Sequence, residues 1–315
     1  MNPAVLWEPE ERCLQPVPPA WVARLVGDAC FDEARVEGST VVEADDFALV
    51  LTRVPGVVRL SSLDLQLQAL KAYQSIGEAL GTAEARHPVR FWNFIPHLHQ
   101  RMGEGLDRYM VFNAGRFAAF TEWYGSSHEF GRRLPTASGV GHFGEDLLIW
   151  CLAAREPGIA VENPLQRPSY CYSARYGPLP PSFVRATAIA APLDLHASTR
   201  ALLVGGTASI RDEGSVGIGS LHRQTAVTLQ NLALVVKAAC APADHPPAGV
   251  NGDVREWLAR YRHLRVYHAR PDDVADLQRL VAPRFPKVAE IEWVHAPLCR
   301  PELLVEIEGV AALEE

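Results

Sequence analysis

Continuous runs of apolar residues and apolar residues at helical spacing follow each other in the first part of the chain, and each pattern predicts a different element. Residues 41–43 and 47–51 are strand-forming runs on either side of an acidic turn at residues 45 and 46, so they predict two strands. Apolar residues then recur at helical spacing over residues 62–81, which predicts a helix with Ser62 as its N-cap.

The pattern is less regular towards the middle of the chain. Residues 89–94 and 109–113 read as strands, and residues 147–154 form a further apolar segment. Residues 156–181 are rich in Pro, Asn, Tyr and Gly, a composition typical of a connection that packs without regular structure.

A clearer succession of elements begins at about Phe183. We predict strands over residues 184–189 and 201–204, a glycine-rich loop over 205–219, a long helix, a strand over 264–268, a helix opened by Asp272 and Asp273, and strands over 288–294 and 303–310. This order favours an α+β sandwich, in which a mixed sheet carries its helices on one face.

The composition is that of a globular protein with one large or two medium domains. The chain has 315 residues, 48% hydrophobic and 21% charged, with a formal net charge of −7. The apolar content excludes disorder, and the lack of an apolar run of about 18 residues predicts that the chain does not span a membrane. Residues 1–19 do not have the pattern of a signal peptide, so we expect a cytoplasmic protein.

The basic residues and the cysteines argue against further classes of function and of site. Only Lys71, Lys237 and Lys287 among the 30 basic residues are lysines, and arginine is the cation best suited to carboxylates and phosphates. These arginines are scattered in an acidic chain, so we do not predict binding of nucleic acid. The six cysteines, at positions 13, 30, 151, 171, 240 and 299, form no Cys-x-x-Cys pair, which argues against a disulfide framework or a structural zinc site.

Two glycine motifs and a histidine pair carry only weak signals. Residues 139–144 match Gly-x-Gly-x-x-Gly, but they follow what reads as a loop, so a dinucleotide site is not predicted. The glycines of residues 214–219 read as a flexible strand-to-helix turn, because no P-loop lysine follows them. His97 and His99 would form half of a metal site, but no third ligand is near in sequence, so surface or packing roles are favoured.

The last predicted strand contains two carboxylates. Alternation places Glu306 and Glu308 on the same face of the strand. The pattern by itself favours a solvated outer face for these side chains. If Glu306 is instead held in a pocket, loss of solvation raises its pKa and makes it a general acid near neutral pH.

Arginine and tyrosine cluster in two segments, residues 109–116 and 170–185. Bidentate arginines beside phenolic donors suit the recognition of carboxylates. Aromatic packing around a proline-stiffened connection, with arginines at its rim, is an equally good interpretation of the same residues.

Several of these segments together resemble a known family. One set is Gln224-Thr225, Val266-Tyr267 and Val305 to Glu308, and through it residues 183–311 resemble the RidA (YjgF) fold, a chorismate mutase-like α+β sandwich. A more specific set is Tyr109 to Arg116, Glu162-Asn163-Pro164, Tyr172 to Arg185, Gly206 to Ser209 and Cys299 to Glu308. This second set resembles the chorismatases, RidA-related enzymes that remove pyruvate from chorismate. The resemblance runs from about Val89 onward, and the chain looks short at its N-terminus for the family.

The resemblance implies an organisation and a reaction. We expect an N-terminal α+β domain over residues 1–158 that contributes to the active site, and a RidA-like catalytic domain over residues 159–315. The family reaction needs no cofactor and no metal, and its small-molecule substrate is chorismate. Glu306 matches the family's acid, which protonates the enolpyruvyl methylene group. The sequence leaves open a monomer or a homo-oligomer, a trimer among them.

The resemblance also assigns the groups that bind the substrate. Arg116 and Arg185 match the positions that hold the two carboxylates of chorismate. Tyr172 and Tyr176 lie beside them in the matching segment, and Arg175 is a further candidate of the same set.

The family divides by product, and two residues bear on the branch. One branch hydrolyses chorismate to a dihydroxycyclohexadiene carboxylate, another gives 3-hydroxybenzoate through an internal epoxide-like intermediate, and a third gives 4-hydroxybenzoate. The 3-hydroxybenzoate branch resembles this chain in a cysteine seven residues before the glutamate, here Cys299, and in a glycine beside the substrate ring, here Gly206. The sequence favours 3-hydroxybenzoate and leaves the other products open.

Two other functions compete with this hypothesis. A RidA-type imine deaminase needs an arginine in the strand before the last one, and residues 285–290 contain none. A non-catalytic RidA-like protein that binds a small ligand in the same cleft is the alternative of another class.

Overall fold

The computed structural model describes residues 16–26, 34–36, 38–44, 46–126, 129–190, 200–241 and 253–313. Within these ranges the chain forms an α+β structure, which confirms the predicted fold class. The helices are α1 (Ala20–Val26), α2 (Ser62–Gly81), α3 (Arg108–Tyr124), α4 (Phe130–Arg133), α5 (Leu221–Cys240), α6 (Val254–Leu258) and α7 (Val274–Val281). The strands are β1 (Ala34–Val36), β2 (Ser39–Ala44), β3 (Phe47–Val54), β4 (His87–Pro96), β5 (Arg101–Gly103), β6 (Leu106–Asp107), β7 (Thr136–His142), β8 (Leu147–Ala154), β9 (Ile159–Val161), β10 (Ala186–Ala190), β11 (Arg200–Ala208), β12 (Ile210–Arg211), β13 (Gly214–Ser215), β14 (Tyr261–His268), β15 (Ile291–His295) and β16 (Val305–Ala312). Cys13, Cys30 and Asp45, which the sequence analysis names, lie outside the described residues.

The first sheet has the strand order β1-β2-β3-β8-β4-β7 and carries α2 and α3 on its outer face. Strand β8 is fully buried, and its side chains divide by alternation. Ile149 and Cys151 pack towards the helices, whereas Leu148 and Trp150 point to the opposite, inner face. The apolar run over residues 147–154 is therefore a strand covered on both sides.

The second sheet has the strand order β15-β14-β16-β11-β10-β9, with α5 and α7 on its outer face. Its central strand β16 is antiparallel to both neighbours. Val305 and Ile307 of β16 pack towards the helices, so the alternate residues Glu306 and Glu308 lie on the inner face.

The inner faces of the two sheets pack against each other and form a shared core. Trp92 and Trp150 of the first sheet lie in one apolar cluster with Leu203, Tyr267 and Val310 of the second. The described chain is thus layered helix, sheet, sheet, helix. The division of the chain between residues 158 and 159 stays a prediction.

Some predicted elements differ from the structure. Residues 109–113 form the start of helix α3 rather than a strand, because Asp107 caps the helix by accepting a hydrogen bond from the Met110 N–H at 2.9 Å. The N-cap of α2 is Ser61, one residue before the predicted Ser62.

The two segments predicted as irregular contain short elements. Residues 156–181 include β9 and two short 3-10 helices. The predicted glycine-rich loop over residues 205–219 includes the end of β11 and the small hairpin of β12 and β13. A register shift in β11 between Val204 and Thr207 places Gly205 and Gly206 in a bulge beside β16.

The residues before the Gly-x-Gly-x-x-Gly segment, predicted as a loop, contain helix α4 and the start of strand β7. Gly139 and Gly141 belong to β7, and the next regular element is strand β8 rather than a helix. A Cβ at Gly139 would meet the Tyr109 ring at 3.1 Å, so this glycine allows close packing. A dinucleotide-binding turn needs a helix directly after the glycines, which this segment lacks.

Candidate active site

A cavity of about 220 Å³ opens where the inner faces of the two sheets meet helix α3 and the connection over residues 169–183. Its walls include all eight residues predicted from the sequence, although these come from four separate segments of the chain. These residues are Arg116, Tyr172, Arg175, Tyr176, Arg185, Gly206, Cys299 and Glu306. The structure therefore brings the selected residues together in one place.

Glu306 is one of the carboxyl groups that line this cavity, and it is 3% exposed. The expectation of a solvated outer face is wrong, because the first sheet covers this face of β16. Burial, together with the neighbouring Glu308, raises the pKa of Glu306 to about 8 against the opposing effects of Arg90 and Arg185. The group is therefore mostly protonated at neutral pH and can donate a proton.

Gly206 provides the space for the Glu306 carboxyl. It lies in the bulge of β11, and a Cβ at this position would overlap Oε1 of Glu306. The same Cβ would come to 3.1 Å from Oγ of Ser138. Only glycine therefore fits beside the carboxyl in this conformation.

Cys299 lies next to the same carboxyl, with Sγ 4.0 Å from Oε2 of Glu306. Burial and the Glu306 carboxylate raise the pKa of the Cys299 thiol to about 12. Cys299 is therefore a neutral thiol near neutral pH, which suits it to hydrogen bonding or packing against a ligand more than to nucleophilic attack.

Arg185 is a buried cation of the cavity wall, held just before strand β10. Its Nη2 donates to the Tyr172 hydroxyl at 2.7 Å and to the Arg167 carbonyl at 2.9 Å. Its Nε lies 3.9 Å from Oε2 of Glu162 and, among the described residues, has no hydrogen-bond partner. Burial raises the pKa of Glu162 to about 7, which Arg185 opposes.

Arg116 is a second buried cation, projecting from helix α3. Its Nη2 donates to Oδ1 of Asn113 at 2.8 Å, and its guanidinium lies 5.4 Å from the ring centre of Phe112. Its Nε is buried and finds no hydrogen-bond partner in the described ranges. A buried guanidinium with a donor to spare is suited to an anionic ligand.

Arg300 is a third cation of the cavity, to which the sequence analysis gave no role. Its guanidinium carbon stacks 3.9 Å from the ring centre of Tyr176, and Nη1 donates to the Tyr176 hydroxyl at 3.3 Å and to Oγ of Ser215 at 3.1 Å. Its position directly after Cys299, within a segment that carries the resemblance, was the signal available in the sequence. Arg175 differs from these three, because it is exposed at the rim and lies 5.5 Å from the Tyr176 ring centre.

A buried polar network lies behind Glu306. The Glu308 carboxylate accepts hydrogen bonds from Nη2 of Arg90 at 2.7 Å, from Nε1 of Trp92 at 2.9 Å, and from the hydroxyls of Ser138 and Tyr267. Arg90, Trp92 and Ser138 belong to the first sheet, whereas Glu308 and Tyr267 belong to the second. The network therefore joins the two sheets next to the acid.

The arrangement combines a protonated carboxylic acid with three buried guanidinium groups in one small cavity. It can bind a small molecule with more than one carboxylate and transfer a proton to it. In the part of the chain that the structure describes, no three His, Cys, Asp or Glu side chains are grouped so that they could hold a metal ion, and His97 and His99 are no exception. None of the described helices has the length and hydropathy that a membrane crossing requires.

Comparison with known proteins shows the family of the chain. Residues 27–153 match the family model described as "Chorismatase FkbO/Hyg5-like, N-terminal". A 3-hydroxybenzoate synthase of Streptomyces hygroscopicus is 30% identical over 297 residues, which are 94% of this chain and 82% of that protein. The chain belongs to the chorismatase family.

Two further comparisons extend over most of the chain. A chorismatase of Streptomyces rapamycinicus is 30% identical over 278 residues, covering 88% of this chain and 78% of that one. The crystal structure of a chorismatase superposes with a TM-score of 0.73 at 28% identity, covering 87% of this chain and 77% of the other. The chorismatase fold therefore includes both sheets of the chain.

Proposed function

We propose that the protein is a chorismatase that converts chorismate to pyruvate and 3-hydroxybenzoate. The observation that carries the proposal is the buried, protonated Glu306 carboxyl in the same cavity as Arg116, Arg185 and Arg300. An enol ether is activated by protonation at carbon, and chorismate is an enol ether with two carboxylates. The cavity offers an acid for the first feature and cations for the second.

Glu306 is the general acid of the proposed mechanism. Its proton moves to the methylene carbon of the enolpyruvyl group, which becomes a methyl group and leaves an oxocarbenium ion at the ether carbon. Cleavage of the bond between the ring carbon and the ether oxygen then releases pyruvate. The ionised Glu306 stabilises the positive charge that develops beside it.

The ring becomes aromatic without an oxidant. The oxygen of the neighbouring ring hydroxyl bonds to the ring carbon that pyruvate leaves, and this epoxide-like intermediate opens as the ring loses one hydrogen as a proton. That proton replaces the one that Glu306 gave up, and the hydroxyl proton remains on the product phenol. Atoms and electrons therefore balance with no water consumed, whereas the dihydroxycyclohexadiene product requires one water.

Cys299 supports the assignment to the 3-hydroxybenzoate branch. Its neutral thiol lies 4.0 Å from Oε2 of Glu306, where it can contact the ring carbons that rearrange. The similarity to a 3-hydroxybenzoate synthase points to the same product. The substrate-binding roles fall to Arg116 and Arg185, with Tyr172 and Tyr176 beside them and Arg175 at the rim. Gly206 leaves room at the ring.

The test is incubation of the purified protein with chorismate, with pyruvate measured by a coupled assay and the aromatic product identified by chromatography. Glu306→Gln keeps the shape of the protonated acid but has no proton to give, so pyruvate release should fall by at least about 100-fold. Glu290→Gln, at an exposed position, is the matched control and should keep full activity. Absence of pyruvate with the unaltered protein would refute the proposal, and 4-hydroxybenzoate as main product would correct the branch.

A further inference from the structure

The loop over residues 296–300, which carries Cys299, is held at two successive carbonyl groups. The Pro297 carbonyl accepts a hydrogen bond from the Gly141 N–H at 2.7 Å. The Leu298 carbonyl lies 2.8 Å from Nε2 of His99. Since a carbonyl oxygen can only accept, His99 must carry a hydrogen on Nε2 and donate it. Both contacts therefore fix the backbone directly before Cys299.

His99 is itself fixed by the turn over residues 97–100. The Gln100 N–H donates to the His97 carbonyl at 2.8 Å, and the Arg108 N–H donates to the Gln100 carbonyl at 2.9 Å. The buried Arg108 guanidinium also donates to the Pro96 carbonyl at 3.0 Å. The turn is thus anchored at the start of helix α3, so the imidazole is held from a rigid element.

Close packing at the same point leaves the loop little room to shift. A Cβ at Gly141 would overlap Cδ2 of Leu98 and would come to 2.8 Å from Cβ of Pro297. Leu298 is buried within the core shared by the two sheets. The contacts of His99 and Gly141 therefore fix the loop at the backbone of Pro297 and Leu298.

We propose that His99 is a positioning residue that fixes Cys299 beside Glu306 and thereby directs the choice of product. The inference rests on the proposed function, in which Cys299 contacts the rearranging ring. Glu306 lies on strand β16 and keeps its place when the loop is released, so protonation and pyruvate release continue. What changes is the surface that the ring meets after pyruvate has left.

The test compares His99→Ala with His99→Gln, whose amide nitrogen takes the place of Nε2. His97→Asn is the matched control, because it alters the neighbouring histidine and keeps a residue type that tolerates the positive φ of 49° at this position. Two readouts are measured on each purified variant. The first is the ratio of 3-hydroxybenzoate to other aromatic products, with the pyruvate rate. The second is the rate of Cys299 alkylation by iodoacetamide, with exposed Cys171 as internal reference.

In His99→Ala we expect both the share of other products and the Cys299 alkylation rate to rise about fivefold. The loss of one hydrogen bond raises the population of the released loop by about this factor. Pyruvate release should stay within about threefold of the parent rate. His99→Gln should restore both readouts, and His97→Asn should leave both unchanged. The rescue by glutamine separates the hydrogen bond from a general loss of stability.

Two results would overturn the inference. Unchanged alkylation in His99→Ala would mean that His99 does not hold the loop. Increased alkylation with an unchanged product ratio would remove its role in product choice while leaving the proposed function intact. If the parent protein releases no pyruvate, the proposed function fails, and Cys299 alkylation alone decides whether His99 fixes the loop.

Discussion

In the proposed mechanism, the chemistry of the site depends on the protonation state of one side chain, Glu306. Its folded-state pKa of about 8 lies above the usual carboxyl value, because burial and the adjacent Glu308 disfavour the charged form. The same burial keeps Cys299 neutral, since it raises the pKa of the thiol to about 12. Two neutral, polar groups therefore lie side by side in the cavity wall, with Sγ of Cys299 4.0 Å from Oε2 of Glu306.

The pH dependence of activity follows from the pKa of Glu306. The acid is protonated below about pH 8, so kcat/KM for chorismate should fall as the pH rises through about 8. Glu162→Gln is the informative control, because burial raises the pKa of Glu162 to about 7 as well. In that variant the fall of kcat/KM near pH 8 should persist. If the fall disappears, it is caused by titration of Glu162 instead.

Gly206 allows a second test at a single position. In Gly206→Ala the new methyl group displaces the Glu306 carboxyl, so kcat should fall by about 10- to 100-fold through misplacement of the acid. Gly81→Ala is a suitable control, because a Cβ there meets nothing within 4 Å. Steady-state kinetics of both variants check the expectation, and full activity of Gly206→Ala would show that the carboxyl has another place to go.

At the scale of elements, strand β16 of the second sheet and strands β4 and β7 of the first are joined by buried polar groups. Alternation puts Glu306 and Glu308 on the same face of β16, and Arg90 reaches Glu308 from β4. Both side chains of the pair are buried, so water screens their attraction little. Moving both charges out of water, however, has a high free-energy cost. The contact sets both the spacing of the sheets and the charge next to the acid.

Removing one member of this pair should be costly, because it leaves the other charge buried alone. Glu308→Gln should lower the free energy of unfolding by about 3 kcal/mol and move the descending limb of kcat/KM to lower pH, since the charge that raises the pKa of Glu306 is gone. Urea unfolding followed by circular dichroism and a pH profile measure the two effects.

The double variant Arg90→Met with Glu308→Gln distinguishes the interaction between the two side chains from the effects of the single substitutions. It removes both charges, so it should regain part of the lost stability. A stability loss equal to the sum of the two single variants would show that Arg90 and Glu308 are not coupled.

At the scale of the whole molecule, the two sheets share one core and the cavity lies at their junction. Trp150 of the first sheet and Leu203 of the second belong to the same apolar cluster. Neither sheet can expose this inner face to water without losing a large share of its buried apolar area. The site therefore exists only when both halves of the chain are folded together.

The protein should accordingly unfold as one unit. Calorimetry should give a single transition, and tryptophan fluorescence and far-ultraviolet circular dichroism should change at the same temperature. Leu203→Ala in the second sheet should lower the free energy of unfolding by about 3 kcal/mol. Both probes should then report the same lower transition temperature. Two separate transitions would show instead that residues 1–158 and 159–315 fold independently.

The sequence by itself determined the elements whose patterns are local. Strand-forming runs identified the strands around residues 41–51, period two identified the alternation of Glu306 and Glu308, and helical spacing identified α2 and α5. The resemblance to the chorismatases selected the residues that line the cavity, whereas the residue types alone left aromatic packing and a solvated Glu306 open. The prediction of a strand at residues 109–113 was wrong, because a short apolar run fits a strand or a buried helix equally well.

Only the tertiary structure decided which of those residues lie together and which of them are buried. Whether Glu306 meets water depends on the first sheet, whose residues are more than 150 positions away in the chain, and no local pattern records that contact. The same holds for the hydrogen bond from His99 to Leu298 and for the stacking of Arg300 on Tyr176. Burial and distance set pKa values and contacts, and both are properties of the packed molecule rather than of the sequence pattern.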